Sequence, residues 1–210
     1  MSQRSSVSDK NCRSLTLATS NAHKIREIRA MFADSGWVVR AAPPELPDIE
    51  ETGATFAENA RIKALAVASA TGEMTLADDS GLVVDALNGQ PGTQSRRWAG
   101  EHASDTDRIA LLLQRMADVP DGLRTARFVC AACVADACGA LWETSAAVEG
   151  IILREPRGNN GFGYDPVFFL PDLGLTMAEL DENKKNAVSH RSLAMRQVMT
   201  WLTCIQCCEE

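Results

Sequence analysis

The chain has 210 residues, 45% of them hydrophobic and 23% charged, and a formal net charge of −7. A chain of this length buries roughly 70% of its unfolded surface, so it needs neither disulfides nor a structural metal to fold. The acidic balance excludes a general nucleic-acid binder, which requires a positive face to displace phosphate counterions. A small anionic ligand stays open, because a local group of Lys, Arg and backbone N–H can act against the global sign. No apolar run approaches the ~20 residues of a membrane helix, and one domain, or two closely packed lobes, is the natural count.

The opening MSQRSSVSDKNCRS is polar and lacks the apolar stretch of a secretory signal. Residues 1–14 therefore read as a disordered tail. The seven cysteines (Cys12, Cys130, Cys133, Cys138, Cys204, Cys207 and Cys208) are odd in number and form no regular framework. That points to a reduced, cytoplasmic protein. Cys130-Ala-Ala-Cys133 fits C-x-x-C but lies in an apolar, strand-like run, where buried small hydrophobes are the better reading. Cys204, Cys207 and Cys208 have no histidine cluster to complete a metal site.

In chain order, residues 15–19 alternate as a strand and break at Ser20-Asn21. Residues 23–33 follow as a helix, with Ile25, Ile28, Met31 and Phe32 at helical spacing. Residues 37–40 suggest a second strand, and the Pro- and acid-rich stretch 41–53 a loop. Thr55-Phe56-Ala57-Glu58 is a capping box opening an Ala-rich helix to about Ala70, with Phe56, Ala60, Ala64 and Val67 on one face. Leu76-Ala77 leads into Asp78-Asp79-Ser80-Gly81, so the carboxylates are expected at the end of an apolar strand before Leu82-Val83-Val84. Residues 88–92 are a turn. Ser104 or Asp105 caps a helix with Ile109, Leu112, Leu113 and Met116 on its face, ended by Pro120-Asp121-Gly122. Residues 124–135 and 140–148 read as a long hairpin, followed by a glycine-rich loop at 158–163 and a strand at Val167-Phe168-Phe169. A last helix starts at Ser189, with Ala194, Val198, Trp201 and Leu202 inward. Helices among hairpin and crossover units indicate α/β with a mixed sheet.

Four polar clusters interrupt this pattern. Thr19-Ser20-Asn21-Ala22-His23-Lys24 delivers small polar residues and a lysine to a helix N-terminus, which suits phosphate; an ordinary N-cap with a solvated lysine is the plain alternative. Asp48, Glu50 and Glu51, with Asp78-Asp79, form an acidic group suited to magnesium, with one carboxylate left to accept a proton from water. A solvated acidic loop explains residues 48–51 equally well. Residues 157–166 combine three glycines with Phe162 and Tyr164, which can stack on a flat ring. Lys184-Lys185-Asn186-Ala187-Val188-Ser189-His190-Arg191 offers donors for phosphates or base carbonyls. Each is weak singly. Together they describe one nucleotide-binding, metal-dependent hydrolase site.

Six pieces occur in order: Thr19-x-Asn21-x-x-Lys24, Glu50-Glu51-Thr52-Gly53-x-Thr55-Phe56-x-Glu58-Asn59-Ala60, Asp78-Asp79-Ser80-Gly81-Leu82, Gly89-x-Pro91-Gly92-x-x-Ser95, Gly161-Phe162-Gly163-Tyr164-Asp165-Pro166 and Ser189-His190-Arg191. This combination, across about residues 15–203, closely resembles the pyrophosphatases of non-standard purine nucleoside triphosphates, the inosine/xanthosine triphosphate pyrophosphatase family. Gln94, in place of an aromatic residue, and Arg96-Arg97-Trp98 depart from the usual pattern.

The resemblance implies an elongated α/β fold with a strongly twisted mixed sheet, flanking helices and two lobes around a central cleft. Residues 15–205 would form this single two-lobed domain. It implies a cytoplasmic homodimer, with no nucleic-acid or membrane partner, that cleaves ITP, dITP and XTP to the monophosphate and pyrophosphate with Mg2+. By the same resemblance Asp79 and Lys24 are catalytic. Thr19, Ser20, Asn21, Ala22, His23 and Lys24 hold the triphosphate. Ser80, Phe162, Gly163, Tyr164, Asp165, Lys185, His190 and Arg191 bind substrate, and Glu50 and Asp79 take the metal, with Glu51 and Asp78 as alternates. A non-catalytic nucleotide sensor and a pyrophosphatase for another modified or pyrimidine nucleotide are the competing readings.

Overall fold

The computed structural model describes residues 13–207. The expected N-terminal tail lies, apart from its last two residues, outside the described residues, as do Cys12 and Cys208. Seven strands and five α-helices follow in order: β1 (Arg13–Leu17), α1 (Ala22–Phe32), β2 (Trp37–Ala41), α2 (Phe56–Thr71), β3 (Thr75–Val84), α3 (Asp105–Arg115), β4 (Thr125–Asp136), β5 (Gly139–Ile152), β6 (Phe168–Leu170), β7 (Leu175–Thr176), α4 (Glu182–Val188) and α5 (His190–Cys207). The strands form one twisted mixed sheet in the order β2-β1-β3-β4-β5-β6-β7. β1 pairs in parallel with β2 and β3, and every later pairing is antiparallel.

Local chemistry accounts for the helix boundaries. Asn21 caps α1 by accepting from the amides of His23 and Lys24. Thr55 and Glu58 close the expected capping box on α2, and Gly72 ends that helix at φ +71°, where a side chain would cost the left-handed backbone. Ser104, with Asp107, caps α3.

The period-2 alternation of β4 divides the core. Cys130, Ala132 and Val134 pack with β1, β2, α1 and α5 on one face. Ala131, Cys133 and Ala135 pack with α2 on the other. Cys130 and Cys133 thus face opposite sides of the sheet, as buried small hydrophobes. Burial pushes both thiols up to about 12. A further apolar group at the other end of the sheet gathers α3, β6 and the 164–168 segment around Phe128 and Ile152.

Two expectations need correction, and one helix is additional. The first strand begins at Arg13, two residues before the expected boundary, because residues 13 and 14 continue the parallel ladder with Trp37 and Val38. β3 does not end at the carboxylates. It runs through them, with Asp78 opposite Ala132 and Asp79 opposite Ala131, because an uninterrupted ladder and cations on both faces outweigh the poor strand propensity of Asp. The 181–189 segment is a short separate helix, α4, capped by Asp181.

Gly81 shows how closely the 92–95 turn approaches β3. A Cβ there would stand 2.4 Å from Ser95 Oγ and 2.6 Å from the Gly92 carbonyl oxygen. Ser95 Oγ accepts from the Leu82 amide at 2.9 Å and donates to the Gly92 carbonyl at 2.6 Å.

Candidate active site

Alternation along β3 sends Asp78 and Asp79 to opposite faces of the sheet. Asp78 points toward α1 and α5 and is fully buried. Its Oδ2 lies 2.9 Å from Lys24 Nζ and 3.3 Å from Arg191 Nε, and accepts from Ser80 Oγ at 2.6 Å. Burial alone would raise this carboxyl. Lys24 and Arg191 outweigh that and hold it far below the usual carboxylate range. Its Oδ1 has no hydrogen-bond partner.

Asp79 points toward α2. Its Oδ2 accepts from Asn59 Nδ2 at 3.2 Å, and its Oδ1 accepts from the Ser80 amide at 3.0 Å, with Lys63 Nζ at 3.5 Å. Lys63 Nζ also binds Glu51 Oε1 at 2.7 Å, and Arg97 reaches Glu51 Oε2 at 3.4 Å. Lys63 thus bridges two carboxylates. Burial dominates at Asp79 and, with the nearby Glu51 charge, raises its carboxyl despite Lys63 and Lys24. Glu51 moves the other way: Lys63 and Arg97 overcome its burial and lower it. Glu50 and Asp48 are exposed on the preceding loop.

The first turn of α1 presents the loop read as a phosphate grip. Asn21 Oδ1 is occupied as the cap, and the Asn21 amide donates to Thr19 Oγ1 at 3.2 Å. Ser20, Ala22 and His23 are exposed. One turn along α1, buried Glu27 binds Lys185 Nζ at 2.9 Å and also pairs with Arg191 Nη1. Lys185 in turn binds Asp165 Oδ2 at 2.6 Å. Burial and the neighbouring Glu27 push Asp165 up despite Lys185.

Arg191 gives one hydrogen bond each to Asp78, Glu27 and Ser80, so three of its roughly five N–H groups are engaged within the protein. His190 is buried and stacked on Phe128 with ring centroids 4.9 Å apart, and its Nδ1 lacks a partner. Burial, reinforced by Arg191 and Lys185, holds it well below the ordinary histidine range, so it is neutral at pH 7. The glycine-rich loop is tied down at three points. The Phe162 amide donates to Asp165, the Gly163 amide to Asp105 at 2.7 Å, and the Tyr164 hydroxyl to the Ser95 carbonyl at 3.0 Å.

The structure therefore joins Lys24, Asp78, Ser80, Lys185, Asp165, His190 and Arg191 in one buried region, and Glu51 with Asp79 beside it. Five participants escaped the sequence reading: Glu27, Asn59, Lys63, Arg97 and Asp105. A signal existed for three of them. Glu27 falls on the core-facing side of its helix, beside Ile28, and Asn59 and Lys63 share the buried face of α2 with Ala60, Ala64 and Val67. A charged or amide side chain in such a stripe requires a buried partner.

Residues 15–201 match the Ham1 family. The chain belongs to that family. A dITP/XTP pyrophosphatase of Gloeobacter violaceus is 50% identical over 188 residues, covering 90% of this chain and 93% of the relative. One from Geobacillus kaustophilus is 48% identical, over 88% of this chain and 91% of the relative. The fold is similar to a HAM1 protein from Coxiella burnetii, with a TM-score of 0.84 and 43% identity over 91% of this chain and 98% of the other. The Ham1 protein of Staphylococcus aureus gives 0.82 and 38%, with the same coverage. This Ham1 chain thus shares nearly its whole described length with its relatives, and the expected mixed α/β fold is theirs.

Proposed function

We propose that the protein hydrolyses the α–β phosphoanhydride of dITP, ITP and XTP, releasing the nucleoside monophosphate and pyrophosphate and so clearing these purines from the nucleotide pool. The observation that carries the reading is Asp79. Its carboxyl is raised above the usual carboxylate range while that of Glu51, which shares Lys63 with it, is lowered. Relatives of this chain bearing the dITP/XTP pyrophosphatase name support the substrate class.

Asp79 accepts a proton from water as the water oxygen bonds to the α-phosphorus, and the bond to the bridging oxygen breaks as pyrophosphate leaves. A base with a raised pKa suits that transfer. The α1 N-terminus, formed by Thr19, Ser20, Asn21, Ala22, His23 and Lys24, offers the positive end of the helix and the Lys24 ammonium to the phosphates. Lys24, aligned by Asp78, offsets charge developing on the leaving oxygens. Phe162, with Gly163, Tyr164 and Asp165, forms the wall against the base and sugar, and Ser80 contacts the substrate. Lys185, His190 and Arg191 offer donors to the 6-oxo edge. Adenine carries a donor at that edge, which leaves buried donors unpaired and disfavours ATP.

Mg2+ belongs to the same proposal. Among the described residues no three His, Cys, Asp or Glu side chains gather into a cage, but magnesium needs only one or two carboxylates plus substrate phosphates. Asp79 and Glu51 fit that requirement, since they already share the cation Lys63; Glu50 and Asp78 flank them in sequence. Bound there, the ion supplies neutralisation of phosphate charge. A cytoplasmic homodimer, built from one two-lobed domain over residues 15–205, completes the reading.

The test is pyrophosphate release from ITP, dITP, XTP, GTP, ATP and dTTP, with magnesium or with chelator. Rapid release from the first three, lost on chelation, supports the proposal. Binding without turnover would indicate a sensor, and preference for dTTP a different pyrophosphatase.

A further inference from the structure

The Phe162 ring lies between the first turn of α1 and the buried donors of α4 and α5. Its centroid stands 5.1 Å from that of the His23 imidazole, with the planes 25° apart. Lys185 Nζ is 4.6 Å and Arg191 Cζ 5.7 Å from the same centroid. Two rings at that separation are in contact, so no third ring fits between them. Phe162 thus spans from the loop assigned to phosphates to the donors assigned to a base, which is the path a nucleotide would occupy. Gly161 and Gly163, at φ +76° and +63°, flank it with backbone conformations that side chains rarely adopt. The loop is held beside the ring by the Gly163 amide, which donates to Asp105 at 2.7 Å.

We propose that His23 is a determinant of substrate affinity that acts through Phe162: in the free protein its imidazole occupies the ring face that the nucleotide base takes over, and the base enters by displacing it. This rests on the function proposed above, because it needs a ligand that stacks on Phe162. A site closed for part of the time binds with an apparent affinity reduced by the open fraction. Loosening the stack therefore tightens binding.

His23→Ala removes the ring but keeps the amide that Asn21 caps, and His23→Phe restores a stacking ring. KM is expected to fall about two- to tenfold in His23→Ala, the worth of one aromatic pair, and to return to or above the parent value in His23→Phe. Amide hydrogen exchange across residues 158–165 in the nucleotide-free protein reads the same contact without any substrate. It is expected to quicken in His23→Ala and to slow again in His23→Phe. Equal exchange in the parent and His23→Ala overturns the proposal. So does a raised KM in His23→Ala, which would make the imidazole a substrate contact. Should the parent turn over no triphosphate, the proposed function fails, and the exchange measurement alone decides whether His23 holds Phe162.

Discussion

Asp78 and Asp79 are adjacent in sequence and lie on one strand, yet their carboxyls are driven in opposite directions. On the Asp78 side one oxygen meets Lys24, Arg191 and Ser80. On the Asp79 side a single bridging lysine is shared with Glu51, and the remaining contacts are an amide side chain and a backbone N–H. Burial is heavy on both sides, so it does not separate them. The number of cations per carboxylate does. An over-compensated carboxylate stays ionised and holds its partners in place, and an under-compensated one takes up a proton more readily.

The sharpest way to break this contrast is to neutralise each acid separately. Asp79→Asn should lower kcat by about 10²–10⁴-fold without loss of stability. The raised carboxyl means that its ionised form costs the native state free energy at pH 7, so the thermal midpoint should hold or rise. Near-native turnover in this variant would remove Asp79 from the chemistry. Asp78→Asn should do the reverse to stability, costing about 3–5 kcal/mol because buried Arg191 loses a charged partner. Urea unfolding measures this as a lower midpoint at unchanged slope.

The smallest effect is read through pH. His190 sits on the Asp78 side, where Arg191 and Lys185 reinforce its burial. Its folded pKa is depressed, so the unfolded chain takes up a proton near pH 6.5 that the folded chain refuses. The stabilisation is full above that pH and is lost as pH falls below it, by up to about 1.4 kcal/mol per pH unit. His190→Gln should flatten that slope when urea midpoints at pH 7.5 and 5.5 are compared. An unchanged slope would place the titration elsewhere.

Which residues were legible in the sequence follows from the range of the forces involved. Thr55 with Glu58 and Ser104 with Asp107 are local pairs, and their spacing announces them. The hairpin of β4 and β5 is likewise local, since Asp136 turns the chain by accepting from the amides of Cys138 and Gly139. The uninterrupted course of β3 was hidden, because two aspartates argue against a strand until α1, α2 and α5 supply cations from distant sequence. Lys63 and Glu27 were hidden for the same reason: a charged residue on a buried helix face announces that a partner exists but does not name it. That Lys63 pairs with Glu51 and not with the neighbouring Glu50 is a matter of loop geometry that periodicity does not encode.

Helix α1 carries Lys24 and Glu27 on successive turns, one bonded to Asp78 and the other to both Arg191 and Lys185. About 4.5 Å of helix rise separates the two positions, and a helix does not stretch. Any excursion that lifts α1 away from the sheet and α5 therefore breaks the Lys24–Asp78 pair and the Glu27 pairs with Arg191 and Lys185 together. The two sets of buried charges are thus coupled through one rigid element, although the residues they pair with come from β3, α4 and α5.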